Sequence, residues 1–206
     1  MSPPNMRIRP AQPADEPVCY RICLQTGDNG NDATRQFDDP NVLGHIYVGP
    51  YFQLQPEFAF VLEDSDGVCG YVLGALDSRR FYHDYIHIWL PPLQARLPDP
   101  DGTPASWNRT QQACHEIHHP RPRFPVEFHP YPSHLHIDLL PRAQRRGWGS
   151  RMIETLLHTF QNAGSPGVHL GVAIQNHRAR QFYIKLGFHD LPVSDPETHY
   201  MGKSLS

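Results

Sequence analysis

The sequence predicts a mixed α/β fold of the α+β type, because apolar β-prone runs and helices alternate along its 206 residues. Residues 58–63 and 68–76 are two such runs on either side of an Asp-Ser-Asp-Gly turn, which predicts an antiparallel hairpin. The clearest helix covers 147–161, where apolar residues recur at helical spacing. A chain of this length can bury one core, so we expect a single domain over 1–206.

The first third of the chain carries weaker signals. A strand is expected at 6–9, and a helix is expected to begin near Asp15, where acidic residues suit the positive end of the helix dipole. Residues 26–56 are rich in Gly, Asp, Asn and Pro. They predict a long loop that contains one short helix near 41–46.

The segment 79–132 is the irregular part of the sequence. It combines many of the 22 prolines with aromatic residues and histidines, and some helix is expected around 82–88 and 106–118. A segment of this length and composition usually forms a lid or a binding insertion. The domain is therefore expected to carry an insertion at about 79–132.

The last third is regular. Strands are expected at 134–140 and 168–172, on either side of the clearest helix. Asn176 is a good cap for a further helix, and two short strands are expected to finish the chain.

Composition excludes several functions. The formal net charge of −3 argues against nucleic acid bound through a broad basic face. No run approaches the roughly 18 apolar residues that span a bilayer. The four cysteines lack metal-ligand spacing and fit a reducing compartment. We expect a soluble, cytoplasmic protein without nucleic-acid or membrane partners, and a homodimer is an open option.

Three neighbouring histidines require a test for a metal site. On a helix, His115 would face His118 and His119, which is a ligand-like arrangement. Their spacing is not that of a zinc site, Pro120 ends the helix, and 14 histidines in the chain make a chance cluster common. The sequence therefore predicts no metal.

The strongest chemical signal lies between the strand at 134–140 and the clearest helix, in the glycine loop, 144–150. Its glycines allow positive φ and close approach of a ligand, and the unpaired amides of a helix start attract phosphate. An ordinary strand-to-helix turn with solvated arginines would explain this segment alone. A second block downstream, at 176–188, argues against that explanation. The loop consists of Gln144, Arg145, Arg146, Gly147, Trp148, Gly149 and Ser150.

Together the two blocks resemble the acetyl-CoA signature of the GNAT acetyltransferase superfamily. The loop is similar to the family's Q/R-x-x-G-x-G/A pattern, and 176–188 is similar to N-x-x-A-x-x-F-Y-x-x-L-G-F. The resemblance implies a mostly antiparallel sheet that splays open at its middle, with helices on both faces. It also implies that acetyl-CoA is the cosubstrate. The residues expected to hold it are the glycine loop together with Leu139, Leu140, Asn176, Ala179 and Tyr183.

From about Gly27 to the C-terminus, the sequence also resembles the acetyltransferase-like domains of O-GlcNAcases. Those domains are regarded as pseudo-acetyltransferases with a degraded cofactor loop. Here Gln144, Gly147 and Gly149 are all present. The resemblance therefore implies a stand-alone relative that is competent to bind its cofactor.

The family reaction is direct attack of an amine on the acetyl thioester, which calls for a base and for a donor to the leaving thiolate. Tyr183 matches the position that commonly protonates the sulfur, although it also fits a packed aromatic. Asp138 is the first candidate for the base and His136 is the reserve. Strand alternation puts both on one face with His134, as a relay would require. A purely structural Asp138 is nearly as well supported.

Two functions stay open on the sequence. The first is an N-acetyltransferase that acts on a small-molecule or peptide amine. The second is a cofactor-binding or protein-interaction module that has lost its chemistry. The intact glycine loop and Tyr183 favour the enzyme, and the lack of a glutamate at the usual base position favours the module. The sequence does not identify the acceptor.

Overall fold

A computed structural model describes residues 6–205. Within this range, seven strands form one sheet. They are β1 (Arg7–Pro10), β2 (Ala59–Asp64), β3 (Gly67–Ala75), β4 (Ser133–Leu139), β5 (Gly167–Ala173), β6 (His189–Asp190) and β7 (Thr198–Ser204). Their order is β1-β2-β3-β4-β5-β7-β6. Only β4 and β5 pair in parallel, so the predicted mixed, mostly antiparallel fold is confirmed.

The helices surround this sheet. They are α1 (Glu16–Thr26), α2 (Val42–Tyr47), α3 (Gly49–Leu54), α4 (Ser78–Asp84), α5 (Leu90–Gln94), α6 (Arg109–His118), α7 (Trp148–Asn162) and α8 (His177–Lys185). A π-helical turn, Tyr85–Trp89, joins α4 to α5. The longest helix, α7, has 15 residues, and none of the helices in 6–205 has the length and apolar character needed to cross a membrane.

Helices cover both faces of the sheet, as expected. Along β3, Tyr71 and Leu73 belong to the core formed with α1 to α6, whereas Val72 belongs to the core formed with α7 and α8. Because successive strand residues point to opposite faces, the two cores lie on opposite sides of the sheet.

The sheet opens between β4 and β5. These strands pair only at Ser133 with Val168 and at His134 with His169. Beyond that point β4 continues along β3 as far as Leu139, and β5 continues along β7 as far as Ala173. The strands therefore diverge at the middle of the sheet, as the family resemblance implies, and leave backbone groups of both strands free to meet a ligand.

The loop predicted over 26–56 was wrong in part. The structure has the expected short helix, α2, and also α3, which the composition does not indicate. Tyr51 of α3 stacks on Phe81, with ring centroids 4.6 Å apart, and its hydroxyl lies 2.9 Å from His134 Nε2. These contacts join residues far apart in the sequence, so tertiary packing overrides the loop-like composition.

The segment 79–132 is more regular than expected. Phe81, Tyr85, Leu90 and Ile117 anchor it in the core on the α1 side of the sheet. The prolines of α5 fall in its first turn, directly after the π-helical turn. The segment therefore forms a helical wall beside the opening between β4 and β5.

Candidate active site

The glycine loop connects β4 to α7. Arg145 and Gly147 have positive φ values of 60° and 79°, and a Cβ added to Gly147 would meet no atom within 4 Å. Gly147 caps α7 without a side-chain hydrogen bond, and Arg151 N donates to its carbonyl. Among the described residues, no hydrogen-bond acceptor is found for the amides of Trp148, Gly149 and Ser150 at the start of α7. This arrangement fits a pyrophosphate, because such amides and the helix dipole favour anions.

Gly149 has a different role from Gly147. A Cβ at Gly149 would lie 3.2 Å from both the Leu139 and Phe182 side chains. The absent side chain thus allows β4, α7 and α8 to pack closely. The two glycines of the loop serve ligand access and packing separately, which the sequence pattern alone does not distinguish.

Charged and aromatic side chains surround the loop. Arg145 and Arg146 are exposed, and the Arg151 guanidinium lies 4.7 Å from the centroid of the Trp148 ring. This positive surface suits phosphate groups.

Two polar side chains fix the backbone around the loop. Gln144 donates a 2.7 Å hydrogen bond to the Leu139 carbonyl, and Asn176 accepts a 3.0 Å hydrogen bond from Ala179 N. The predicted cap of α8 is therefore confirmed. Both side chains thus stabilise the local backbone. Their contact with a cofactor stays a prediction.

The backbone of β4 presents alternate residues to the opening. Leu140 N donates to Cys69, and the Leu140 carbonyl accepts from Ala143 N, so both of its backbone groups are bonded inside the protein. In an antiparallel ladder the neighbouring residues point the opposite way. Leu139 and Ile137 therefore direct their backbone groups towards β5. Sequence reasoning missed Ile137, although strand alternation could have indicated it.

Tyr183 lies on the α7 and α8 side of the sheet. It is 9% exposed and packs with Phe188, at a ring-centroid distance of 5.5 Å. Burial, and then the charge of Asp138, raise the pKa of its hydroxyl. No hydrogen bond to residues 6–205 contributes to that shift. Tyr183 is thus a buried, protonated phenol on the α7 and α8 side of the sheet.

A cluster of three side chains lies on the other face of β4. The Tyr71 hydroxyl donates to Asp138 Oδ2 at 2.5 Å and lies 3.1 Å from His136 Nε2. His136 Nε2 is 3.2 Å from the same Asp138 oxygen. Tyr71 is fully buried, and burial followed by the Asp138 charge raises its pKa well above the usual range. Asp138 and His136 do meet, with Tyr71 as a partner that the sequence did not indicate.

His134 does not extend this cluster, so the relay of three residues was wrong. Its ring nitrogens lie 2.7 Å from Ser78 Oγ and 2.9 Å from the Tyr51 hydroxyl. Burial lowers its pKa well below the ordinary value. His134 shares the face of His136 and Asp138 but is occupied by its own partners.

Comparisons with known proteins agree with this geometry. Residues 105–188 match the acetyltransferase (GNAT) family. The O-GlcNAcases of Rattus norvegicus and Mus musculus are each 30% identical over 202 residues, covering 96% of this chain. The chain spans 22% of the length of these relatives.

Solved structures extend the comparison to the whole chain. SsHAT is 39% identical, and the match covers 98% of this chain and all of that one, with a TM-score of 0.90. The chain belongs to the GNAT acetyltransferase family. YncA from Salmonella typhimurium, solved with its cofactor acetyl-CoA, has the same fold at 15% identity and a TM-score of 0.55, covering 98% of this chain and 94% of YncA. The predicted family and enzyme class are confirmed.

This GNAT acetyltransferase has a cavity of about 480 Å³ beside the opening of its sheet. Residues of β4, β5 and β7 form one wall, and α2, α3, α4 and α6 contribute to the other. His136 lines the cavity, whereas Asp138 and Tyr183, both in the described part of the chain, do not. Of the three predicted catalytic residues, His136 is therefore the one that a molecule in the cavity can contact.

The histidines of α6 lie away from this cavity. Asp99 binds two of them, with its oxygens 3.2 Å from His115 Nδ1 and 2.6 Å from His119 Nε2. His118 instead lies 2.7 Å from the Leu97 carbonyl. His115 and His119 thus face each other as expected, with ring centroids 4.2 Å apart, and form with Asp99 a group that could hold a metal, whereas His118 has a different partner. The absence of a metal stays a prediction.

Proposed function

We propose that this acetyltransferase transfers the acetyl group of acetyl-CoA to a primary amine by direct attack. The observation that carries the proposal is the arrangement around the opening of the sheet. The glycine loop lies between β4 and α7 on one side of the sheet, and His136 lines the cavity on the other side. A donor and an acceptor could thus reach the gap between β4 and β5 from two directions.

The residues present fit acetyl-CoA. The free amides at the start of α7 and the exposed arginines of the loop suit its pyrophosphate. The backbone groups of Ile137 and the Leu139 amide, which point to the opening, suit its amide-containing arm; the Leu139 carbonyl is already bonded to Gln144. When bound, acetyl-CoA supplies an activated thioester. Asn176 and Ala179 would border the same site at the start of α8.

His136 is the base that the geometry favours. An alkyl amine, with a pKa of about 10.4 in lysine, is mostly protonated at neutral pH and must lose a proton before or during attack. His136 lines the cavity and its Nε2 is held against Asp138. We assign proton acceptance to His136, while Asp138 orients its ring and stabilises the positive charge.

Tyr183 is assigned to the leaving group. As the N–C bond forms, the C–S bond breaks and its electrons pass to sulfur, which takes a proton. The raised pKa of Tyr183 keeps its hydroxyl protonated. A phenol in this position can donate to the departing thiolate.

The remaining proposals concern the protein as a whole. We infer one domain over 1–206, because β1 near the start and β7 near the end belong to the same sheet. The segment 79–132 is assigned to the wall of the acceptor cavity. The four cysteines are free, which supports a cytoplasmic location.

The test is turnover over a panel of primary amines with acetyl-CoA. The expected result is release of free CoA thiol that depends on the amine, with the acetylated amine identified by mass. Calorimetry with acetyl-CoA is run alongside. If acetyl-CoA binds but no amine in the panel is acetylated, the proposal fails and an inactive binding module replaces it.

A further inference from the structure

The acceptor cavity contains a carboxylate without a counter-charge. Glu116 of α6 lines the cavity together with His136. Desolvation alone raises the pKa of Glu116, and no hydrogen bond or charge within the described chain offsets it. Glu116 is exposed to solvent, so its carboxylate is free to pair with a ligand that brings a positive charge into the cavity.

Three tyrosines line the same cavity as Glu116. The Glu116 charge, more than burial, raises the pKa of Tyr47 well above the usual range. Burial, and then Glu116, raise the pKa of Tyr82 to about 12 and also raise that of Tyr85. All three phenols therefore lie within the field of this carboxylate. Tyrosine rings attract cations through their faces, so the surroundings favour the same sign of ligand charge.

Glu116 and these tyrosines line the same cavity as the proposed base. Tyr47 packs on His136, with ring centroids 5.6 Å apart, and both residues line the cavity together with Glu116. A small molecule in the cavity could thus reach His136 and Glu116 at once. We call Glu116, Tyr47, Tyr82 and Tyr85 the cation pocket.

Other charged groups on the cavity do not neutralise Glu116. His134 and His169 line the same wall, and burial lowers the pKa of each, so both are neutral at neutral pH. Arg123 is paired with Asp195 at 2.8 Å. Arg121 also lines the cavity and is exposed. Because an arginine binds carboxylates, acceptors that carry a carboxylate are the competing class, and the experiment includes one.

We propose that the acceptor is a diamine-like molecule, with one amine acetylated beside His136 and a second cationic group bound by the cation pocket. This inference rests on the proposed acetyl transfer and names its substrate class. A carboxylate bound to an ammonium group is a strong, charge-assisted interaction. The distance between His136 and Glu116 sets the length of the acceptor molecule.

The test measures binding of simple probes by calorimetry. The probes are diaminoalkanes of three to six carbons, n-butylamine, which lacks the second charge, and 4-aminobutyrate, which replaces it by a carboxylate. We expect the best diaminoalkane to bind at least ten-fold more tightly than either of the others. Glu116→Gln should remove this preference and leave the affinity for n-butylamine unchanged.

Two further variants complete the design. Glu154→Gln changes another accessible helix glutamate, on α7 and outside the cavity lining, and should leave every affinity unchanged. Glu116→Lys reverses the charge and should favour 4-aminobutyrate over the diaminoalkanes. Thermal unfolding shows that each variant is folded.

Several results would overturn the cation pocket. They are equal binding of diaminoalkanes and n-butylamine, a preference for 4-aminobutyrate in the unmodified protein, or a diamine preference that survives in Glu116→Gln. An equal loss of turnover for mono- and diamines in Glu116→Gln, without a change in affinity, would assign Glu116 to proton transfer instead. If diamines bind through Glu116 but are not acetylated, the proposed transfer fails while the pocket stands.

Discussion

The hydroxyl of Tyr71 donates a 2.5 Å hydrogen bond to the carboxylate of Asp138, across the β3–β4 pair of the sheet. Tyr71 and Asp138 face each other directly in the strand register. Because the same hydroxyl lies 3.1 Å from His136 Nε2, a buried tyrosine fixes both candidate proton acceptors. Tyr71 therefore acts on the reaction through other residues.

Tyr71→Phe should slow turnover and destabilise the protein. It leaves the Asp138 carboxylate without its donor, which costs about 1–3 kcal/mol, and it frees the His136 ring. We expect a lower kcat with an unchanged Kd for acetyl-CoA. Tyr131→Phe is the matched control, because the Tyr131 hydroxyl also lies 3.1 Å from a histidine nitrogen, that of His189, away from the site. Equal kcat values for both variants would contradict the role of Tyr71.

Gly147→Ala should weaken acetyl-CoA binding more than its effect on stability explains. Gly164 provides the control, because it has a φ of 85° against 79° for Gly147 and equally open surroundings. Each alanine should cost about 1–2 kcal/mol in unfolding free energy from its left-handed backbone. Only Gly147→Ala should lower the affinity measured by calorimetry. Similar affinities for the two variants would remove the glycine loop from the cofactor site.

The elements that the sequence predicts well are those specified by local patterns. The hairpin of β2 and β3 follows from two apolar, β-prone runs on either side of a turn, and α7 follows from its apolar spacing. Asn176 caps α8 through a residue only three positions away. In each case the residues that determine the structure are neighbours in the chain.

The site is harder to predict because its partners are distant in sequence. Tyr71 is 65 residues from His136 and 67 from Asp138, and in its strand it reads as an ordinary core aromatic. Glu116 occupies a helix that the composition only partly indicates, and its surroundings depend on how α6 packs against α2. A single sequence does not encode these juxtapositions in any local pattern.

Buried histidines should make the protein less stable in mild acid. Burial lowers the pKa of His134 well below the value of about 6.5 expected in the unfolded chain. The unfolded state therefore binds more protons, so the stability that His134 provides is present above pH 6.5 and is lost as the pH falls. His134→Gln should flatten the slope of unfolding free energy between pH 6.5 and 5, by up to about 1.4 kcal/mol per pH unit.

The readout for His134 is the slope, because the substitution also changes packing at every pH. His158→Gln, at an exposed position of α7, should leave the slope as in the unmodified protein. A His134→Gln variant with the original slope would mean that another group governs acid unfolding.

Tyr183→Phe should bind acetyl-CoA normally and turn over slowly. The substitution keeps the ring and its packing against Phe188. It removes only the hydroxyl, and no hydrogen bond from the described chain contributes to the pKa of that group. A positioned proton donor is typically worth about 10²–10⁴ in rate. With an amine that the unmodified protein acetylates, we expect kcat to fall by a factor within that range. The Kd for acetyl-CoA and the free energy of unfolding should change little. An unchanged kcat would leave Tyr183 as a packing residue.

His136 and Asp138 should act as one unit in proton transfer. If His136 accepts the proton and Asp138 only supports it, His136→Gln should lower kcat as much as the double variant with Asp138→Asn. Groups that work together are strongly non-additive. Asp138→Asn alone should cost less, because the amide still holds the ring. If instead Asp138 is the base, as the sequence first indicated, Asp138→Asn should match the double variant and His136→Gln should be the milder change. Additive losses in kcat would contradict both assignments, since independent effects do not arise from a single proton path.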